Sequence, residues 1–441
     1  MSETGGEAAI GIDFGTTNTV VALAGADGEA RLIQFAHDNE MIAPFRSALS
    51  FHAAIDDPRE RVVEAGPWAI DAYVEEPLET RFIQSFKTYA ASPLFVHTNV
   101  LGRWFRFEDL LSAFLLRMLA HAGADLDNLP KRLIVGRPVN FAGARADPTL
   151  ALARYEIAFG RLGFTDIRYA YEPVAAAFFF ARQLKRDATV MVADFGGGTS
   201  DFSIVRFHRE SGRIGSQGLA NAGAPVAGDA FDYRIIDNLV SPELGKGTSY
   251  RAFDNVLPIP ARYYAAFARW EQLALLRASK DMRDIRGLVR TAIEPDKIAR
   301  LVEILDHNHG YRLYQSVSRL KEALSDETGA VFRFQTGDVD IEKPVRRSEF
   351  EAWIAPELAA IAAAADDAVA KAGVTTDQID KVFLTGGSSF VPAVRRLFAD
   401  RFGEAKLESG GELVSIATGL ALIGALPDTA EWATPHAPAM A

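Results

Sequence analysis

An α/β protein of two related lobes is the architecture this sequence predicts, and three observations predict it. Strand-like and helix-like stretches alternate along most of the chain. A Gly/Thr-rich turn following Asp-Phe is written twice, as IGIDFGTTNTVV at residues 10–21 and as MVADFGGGTSDFSI at 191–204. A chain of 441 residues with 49% hydrophobic and 10% aromatic side chains also exceeds what one core organises.

The elements follow in order. AAIGIDF (8–14), TVVALA (19–24), RLIVGR (132–137), VMVADF (190–195), DFSIVRF (201–207) and KVFLTG (381–386) are short apolar runs bounded by turn residues, and they read as strands. The run WFRF (104–107) reads as a buried edge of the first lobe. Residues 107–126 repeat apolar side chains at helical spacing, and residues 171–186 do so before ending in a basic turn. Residues 349–373 read as one helix stopped by Gly373. The stretch 241–315 differs, because Pro258, Pro260 and Pro295 interrupt its helical pieces, and it reads as an insertion in the second lobe. The expected division is a first lobe over 8–186, a second lobe over 187–410, a helix over 411–425 returning to the first, and a loose tail over 426–441.

Bulk chemistry removes several classes of function. A net charge of −11 provides no broad basic surface for nucleic acid or acidic membranes. With no cysteine there is no thiol nucleophile, disulfide or thiolate zinc site. The opening residues carry no signal-peptide pattern, and the apolar run 413–426 is too short to span a bilayer. The expectation is a soluble cytoplasmic protein with small-molecule or protein partners.

Each Asp-Phe-Gly copy lies between two strand-like runs and therefore reads as a hairpin. A turn rich in Gly and Thr can aim several backbone N–H groups and a hydroxyl into one concavity, which suits a phosphate. Asp13 and Asp194 would repel a bare phosphate, and Mg²⁺ with its waters between them removes the conflict. Such a turn alone commonly binds nothing, so it is the pair that carries the reading. The chain has no G-x-x-x-x-G-K-[ST] loop and no G-x-G-x-x-G after a strand. The expected site is a cleft between two lobes.

With those motifs in place the sequence resembles the actin-like ATPases and, among them, the Hsp70 family. GIDFGTTNT (11–19) is similar to the first phosphate loop, YEPVAAA (171–177) to the first interlobe helix and VADFGGGTSDFSI (192–204) to the second phosphate loop. SRLKEALS (318–325) is similar to the adenosine-contacting helix, FLTGGSSFVP (383–392) to the adenine-side loop and, more weakly, AGDAFDYRII (227–236) to the family segment GGEDFD. The resemblance implies the Hsp70 nucleotide-binding fold, two lobes with duplicated mixed-sheet cores around a nucleotide cleft. It implies ATP or ADP with Mg²⁺ as ligands and a protein client or cochaperone as partner.

It also implies residue roles. Asp13, Asp194 and Asp201 surround Mg²⁺, while Gly15, Thr16, Thr17 and Asn18 hold phosphates from one lobe. Gly196, Gly197, Gly198 and Thr199 hold them from the other, with catalytic duty for Glu172, Asp194 and Thr199. Pro138 resembles the relay proline of the family. Lys321, Ser325, Gly386, Gly387, Ser388 and Phe390 take the nucleoside, and Gly228 with Asp229 lines the opposite lobe. His307 and His309 read as a loop pair without a metal.

Three departures stand out. The segment GPWAID (66–71) falls where the family carries GQPAK, which puts Ile70 at the expected position of a phosphate-side lysine and leaves hydrolysis without its cation. Phe390 and Glu322 replace two family arginines near the base. The expectation from the residues after Gly424 is a protein without the family's linker and peptide-binding domain, a plan similar to the short YegD type. Alternative readings are an actin-like filament protein, a small-molecule kinase of the superfamily, and a sensor that binds nucleotide without cutting it.

Overall fold

The computed structural model describes residues 8–54, 60–76, 79–123, 129–141, 145–182, 186–210, 213–268, 273, 276–277, 279–307, 309–408, 411 and 414–435. Two mixed sheets organise the chain. In the first, Ala30–Leu32, Asn18–Ala24, Ala9–Phe14, Arg132–Arg137 and Asp166–Tyr171 lie side by side, with Phe45–Arg46 pairing Asn18–Ala24. The second has the order Arg213–Ala224, Ser200–Glu210, Ala188–Phe195, Lys381–Thr385 and Leu407–Glu408.

The two sheets repeat one connection pattern. In each, a strand ending in Asp-Phe pairs antiparallel with the strand after it and parallel with a later one, which in turn pairs parallel with a last strand. Each Asp-Phe-Gly turn therefore occupies the same place in its sheet. The carboxylates lie one residue before the turn, with Asp13 opposite Val20 and Asp194 opposite Asp201 and beside Thr385.

Each sheet is covered by its own apolar core. Phe14, Phe107, Phe114 and Tyr155 are fully buried in the first, and full burial of such a side chain contributes about 1.5–3 kcal/mol. The second core joins Phe195, Phe202 and Phe398 to residues of the 241–315 stretch, among them Tyr264, Met282 and Leu301. That stretch shares its core with the second sheet, and its described parts include the hairpin Ser249–Ala252/Asn255–Pro258.

Two helices fill the space between the sheets. Ser415–Gly424 lies on the first sheet so closely that a Cβ on Gly11 would stand 2.3 Å from the Ala421 backbone nitrogen. Glu172–Ala181 faces the second sheet, where Phe180 stacks on Phe383 at 4.0 Å. The helices cross where a Cβ on Gly419 would meet the Ala175 carbonyl at 1.9 Å, so glycine and alanine are required there by approach distance.

Several expectations need correction. Residues 349–373 form two helices, Arg347–Trp353 and Ala355–Ala372, because Pro356 starts a new helix and gives the chain no N–H to continue the old one. Phe105 and Phe107 turn inward but Trp104 is 65% exposed, so WFRF alternates along the strand Arg103–Phe105 and does not form a wholly buried edge. The tail expected to be loose is docked through Thr434, whose backbone bridges Tyr169, with Trp432 packed at 4.8 Å on Phe178. Residues 436–441 lie outside the described residues.

Candidate functional site

The two hairpin turns are built alike. The Gly15 N–H donates to the Asn18 carbonyl at 3.0 Å, and the Gly196 N–H donates to the Thr199 carbonyl at 2.9 Å. Ser47 braces the first turn, its N–H donating to the Thr17 carbonyl at 2.9 Å and its hydroxyl to the Gly15 carbonyl at 2.7 Å. The helix Gly228–Ile235 braces the second, its Asp229 N–H donating to the Gly197 carbonyl at 2.8 Å. The turns then meet, since a Cβ on Gly197 would lie 2.4 Å from Thr17 Oγ1. Residues far apart in the chain thus form one concavity from two sheets.

Beneath the turns lies a group of carboxylates. Burial first, and then the Glu172 carboxylate, push Asp13 up to about 8 against the pull of Lys87. Asp194 is pushed up to about 7 by burial and Glu172, while the Thr385 hydroxyl, donating to Asp194 Oδ1 at 2.9 Å, pulls it down. Asp201 rises to about 6, chiefly through burial, with Thr199 Oγ1 donating to it at 2.9 Å. Glu172 sits in the first turn of its helix, and a Cβ on Gly136 would lie 3.1 Å from Glu172 Cγ and 3.7 Å from Asp13 Cα. Four carboxylates held this close are costly without a cation.

One cation is already present. Lys87 Nζ pairs with Glu172 Oε1 at 2.8 Å, the two side chains being only 10% and 12% exposed. Despite burial, the neighbouring Glu172, Tyr155 and Asp13 groups hold the Lys87 ammonium above its ordinary range, so it stays charged. The expectation that Ile70 occupies the position of the cation is therefore corrected. Ile70 lies buried in the helix Gly66–Glu75, while Lys87 comes after the next strand, Arg81–Gln84, on the short helical turn Phe86–Tyr89. Ser85, two residues before it, has a left-handed backbone with φ 54° at the start of that turn.

The predicted nucleoside residues gather on the second-lobe side. A Cβ on Gly228 would lie 2.9 Å from Ser388 Oγ and 3.8 Å from Lys321 Nζ, which places all three around one spot and corrects the expectation that Gly228 stands opposite the other two. Gly386 has φ 81° and leaves no room for a side chain, since a Cβ would meet the Phe195 carbonyl at 2.1 Å. Phe390 is 53% exposed at the end of the short turn Gly387–Phe390. Lys321 Nζ is held by Asp232 Oδ1 at 2.7 Å, and the Ser325 hydroxyl donates to the Lys321 carbonyl at 3.0 Å within its own helix.

Sequence reasoning missed Lys87, Ser47, Thr385 and Asp232. For Lys87 the available signal was a lone lysine inside an otherwise apolar and hydroxyl-bearing run, FIQSFKTY. Elsewhere, Glu303 pairs with His307 at 3.1 Å and His309 at 3.8 Å near the end of the helix Pro295–Asp306.

The duplicated sheets, their apposed turns and the helices between them define the class: this is the two-lobed nucleotide-binding fold of the actin-like ATPases. The model of the Hsp70 protein family matches residues 79–249 and 295–431, and the chain belongs to that family. Curated relatives include the chaperone protein DnaK of Deinococcus proteolyticus, 23% identical over 94% of this chain and 58% of its own length. DnaK of Deinococcus radiodurans is 25% identical over 94% of this chain and 59% of its own. The chaperone protein HscA homolog of Tolumonas auensis is 25% identical over 94% and 57%. The chain thus spans less than two thirds of the length of these relatives. Among the described residues no helix is long and apolar enough to cross a membrane.

Proposed function

We propose that this Hsp70-family chain binds Mg-ATP between its lobes, hydrolyses it slowly to ADP and phosphate, and reports the bound state to a protein client or cochaperone. The observation that carries the reading is the meeting of Thr17 and Gly197 at the ends of the hairpins that carry Asp13, Asp194 and Asp201, whose carboxylates share one electrostatic group with Glu172 and Lys87. The residues fit a hard divalent cation, because oxygen donors from both lobes converge and three of them are pushed up by burial and by the neighbouring Glu172 carboxylate. Mg²⁺ would supply charge neutralisation on the phosphate oxygens.

In this reading Asp13, Asp194 and Asp201 hold the metal and its waters. Thr16, Thr17 and Asn18, in the turn closed by the Gly15 N–H, bind phosphate from the first lobe, and Gly197, Gly198 and Thr199, in the turn closed by the Gly196 N–H, bind it from the second. Lys87 offers positive charge where negative charge develops, and Glu172 orients the attacking water. Gly228, Asp229, Lys321, Ser325, Gly386, Gly387, Ser388 and Phe390 bind the nucleoside. The non-hydrolysing reading drew its support from Ile70, and the buried Lys87 removes that support.

Turnover of radiolabelled ATP by wild type and by Lys87→Ala tests the assignment. Loss of the cation should lower the rate on the order of 10² to 10³ while nucleotide is still bound. Equal rates would refute the role given to Lys87.

A further inference from the structure

The helix Pro148–Gly160 sends one tyrosine to the floor of this site. Tyr155 is fully buried, with its ring 5.9 Å from Phe14, 6.0 Å from Phe107 and 6.3 Å from both Phe141 and Phe159. Phe14 is also the ring over which Lys87 Nζ stands, at 5.9 Å. The charges that act on the phenol are those of Lys87, Glu172 and Asp13. Its hydroxyl is buried and has no hydrogen-bond partner among the described residues.

That last fact is costly. A buried hydroxyl without a partner is destabilising, and phenylalanine would fill the same aromatic pocket without the loss. Two other buried tyrosines show the ordinary solution: Tyr169 Oη donates to Glu156 Oε2 at 3.0 Å, and Tyr264 Oη donates to the Leu244 carbonyl at 2.9 Å. Tyr155 instead has a hydroxyl with no partner among the described residues, and the charges of the Lys87–Glu172 pair act on it. Burial also holds the phenol well above its usual range, so the group remains a neutral O–H that can donate and accept.

We propose that Tyr155 is a positioning residue for the Lys87–Glu172 pair, its hydroxyl donating to the Glu172 carboxylate when a bound phosphate draws Lys87 away. The inference rests on the Mg-ATP reading above. In the structure Lys87 pairs with Glu172, and no described residue takes the Tyr155 hydroxyl. A phosphate that recruits Lys87 would strand a buried carboxylate, and a hydroxyl already in place prevents it from turning away from the water it orients. The cost of the idle hydroxyl in one state is thus recovered in the other.

Tyr155→Phe separates this role from packing, because it removes one oxygen and keeps the ring. The nucleotide-free variant should melt at the same temperature as wild type or higher. Its Kd for Mg-ATP should stay within about threefold, while kcat falls about ten- to a hundredfold, as expected for losing a hydrogen bond to a charged group. Unchanged kcat with intact nucleotide binding overturns the assignment of Tyr155 alone. A lower melting temperature with Kd and kcat weakened in parallel overturns it too, by showing a structural role. Wild type that binds no Mg-ATP, or binds it without turnover, overturns the reading on which it stands as well.

Discussion

Asp13 and Lys87 show how the site stores electrostatic tension. Asp13 is pushed up to about 8 from an ordinary carboxylate value of 3.8. The folded protein therefore holds its proton more tightly than the unfolded chain does, and stability falls as pH rises from about 4 through about 8. Asp194, at about 7, and Asp201, at about 6, act with the same sign over narrower windows. Asp13→Asn should flatten this dependence and raise the melting temperature of the nucleotide-free protein at pH 8, as measured by thermal unfolding across pH; an unchanged slope would contradict the burial argument. That Asp13 and Asp194 hold equivalent places was legible in the sequence because each is fixed to a repeated turn. The place of Lys87 was not, since it follows a left-handed Ser85 and a strand and helix whose lengths no motif records. Ile70→Lys follows from the mistaken placement and should do harm: it buries a cation without a partner in the helix Gly66–Glu75, so the melting temperature should drop with no gain in turnover.

Close backbone approach governs the elements. The crossing of Glu172–Ala181 with Ser415–Gly424 depends on Gly419, where a Cβ would stand 1.9 Å from the Ala175 carbonyl. Backbone cannot step aside as a flexible side chain can, so Gly419→Ala should destabilise by about 1–3 kcal/mol or more in denaturant unfolding. Gly287, inside the helix Lys280–Leu288, is the control, because nothing lies within 4 Å of an added Cβ. Gly287→Ala should stabilise by about 0.5–1 kcal/mol. If both substitutions behave alike, contact at the crossing is not what Gly419 protects. Strands such as Ala188–Phe195 were legible because apolar, β-branched runs ending at a Gly-rich turn have few alternatives. The Ala-rich stretch near Pro356 was not, because helical spacing continues through the break, and only the missing N–H of the proline divides it.

The whole molecule repeats one sheet plan twice and bridges the copies with two helices, so the site forms only where both lobes contribute. Tyr73 of the first lobe packs with the apolar cluster of the second, a further contact across the cleft. The duplicated turns made this two-lobed plan readable from sequence. The docking of Trp432 and Thr434 was hidden, because a Pro-rich and small-residue tail carries no local sign of what it will meet. A ligand gripped by both lobes should stabilise the molecule as a unit, since anything that binds only the folded state raises its stability by mass action. The direct test of that grip is calorimetric titration of ATP with and without Mg²⁺ into wild type and Asp194→Asn. Saturable one-to-one binding that requires Mg²⁺ and weakens at least tenfold in Asp194→Asn is the expected result. Absence of binding by folded wild type, or binding indifferent to Mg²⁺ and to Asp194, would contradict a metal–nucleotide site between the lobes.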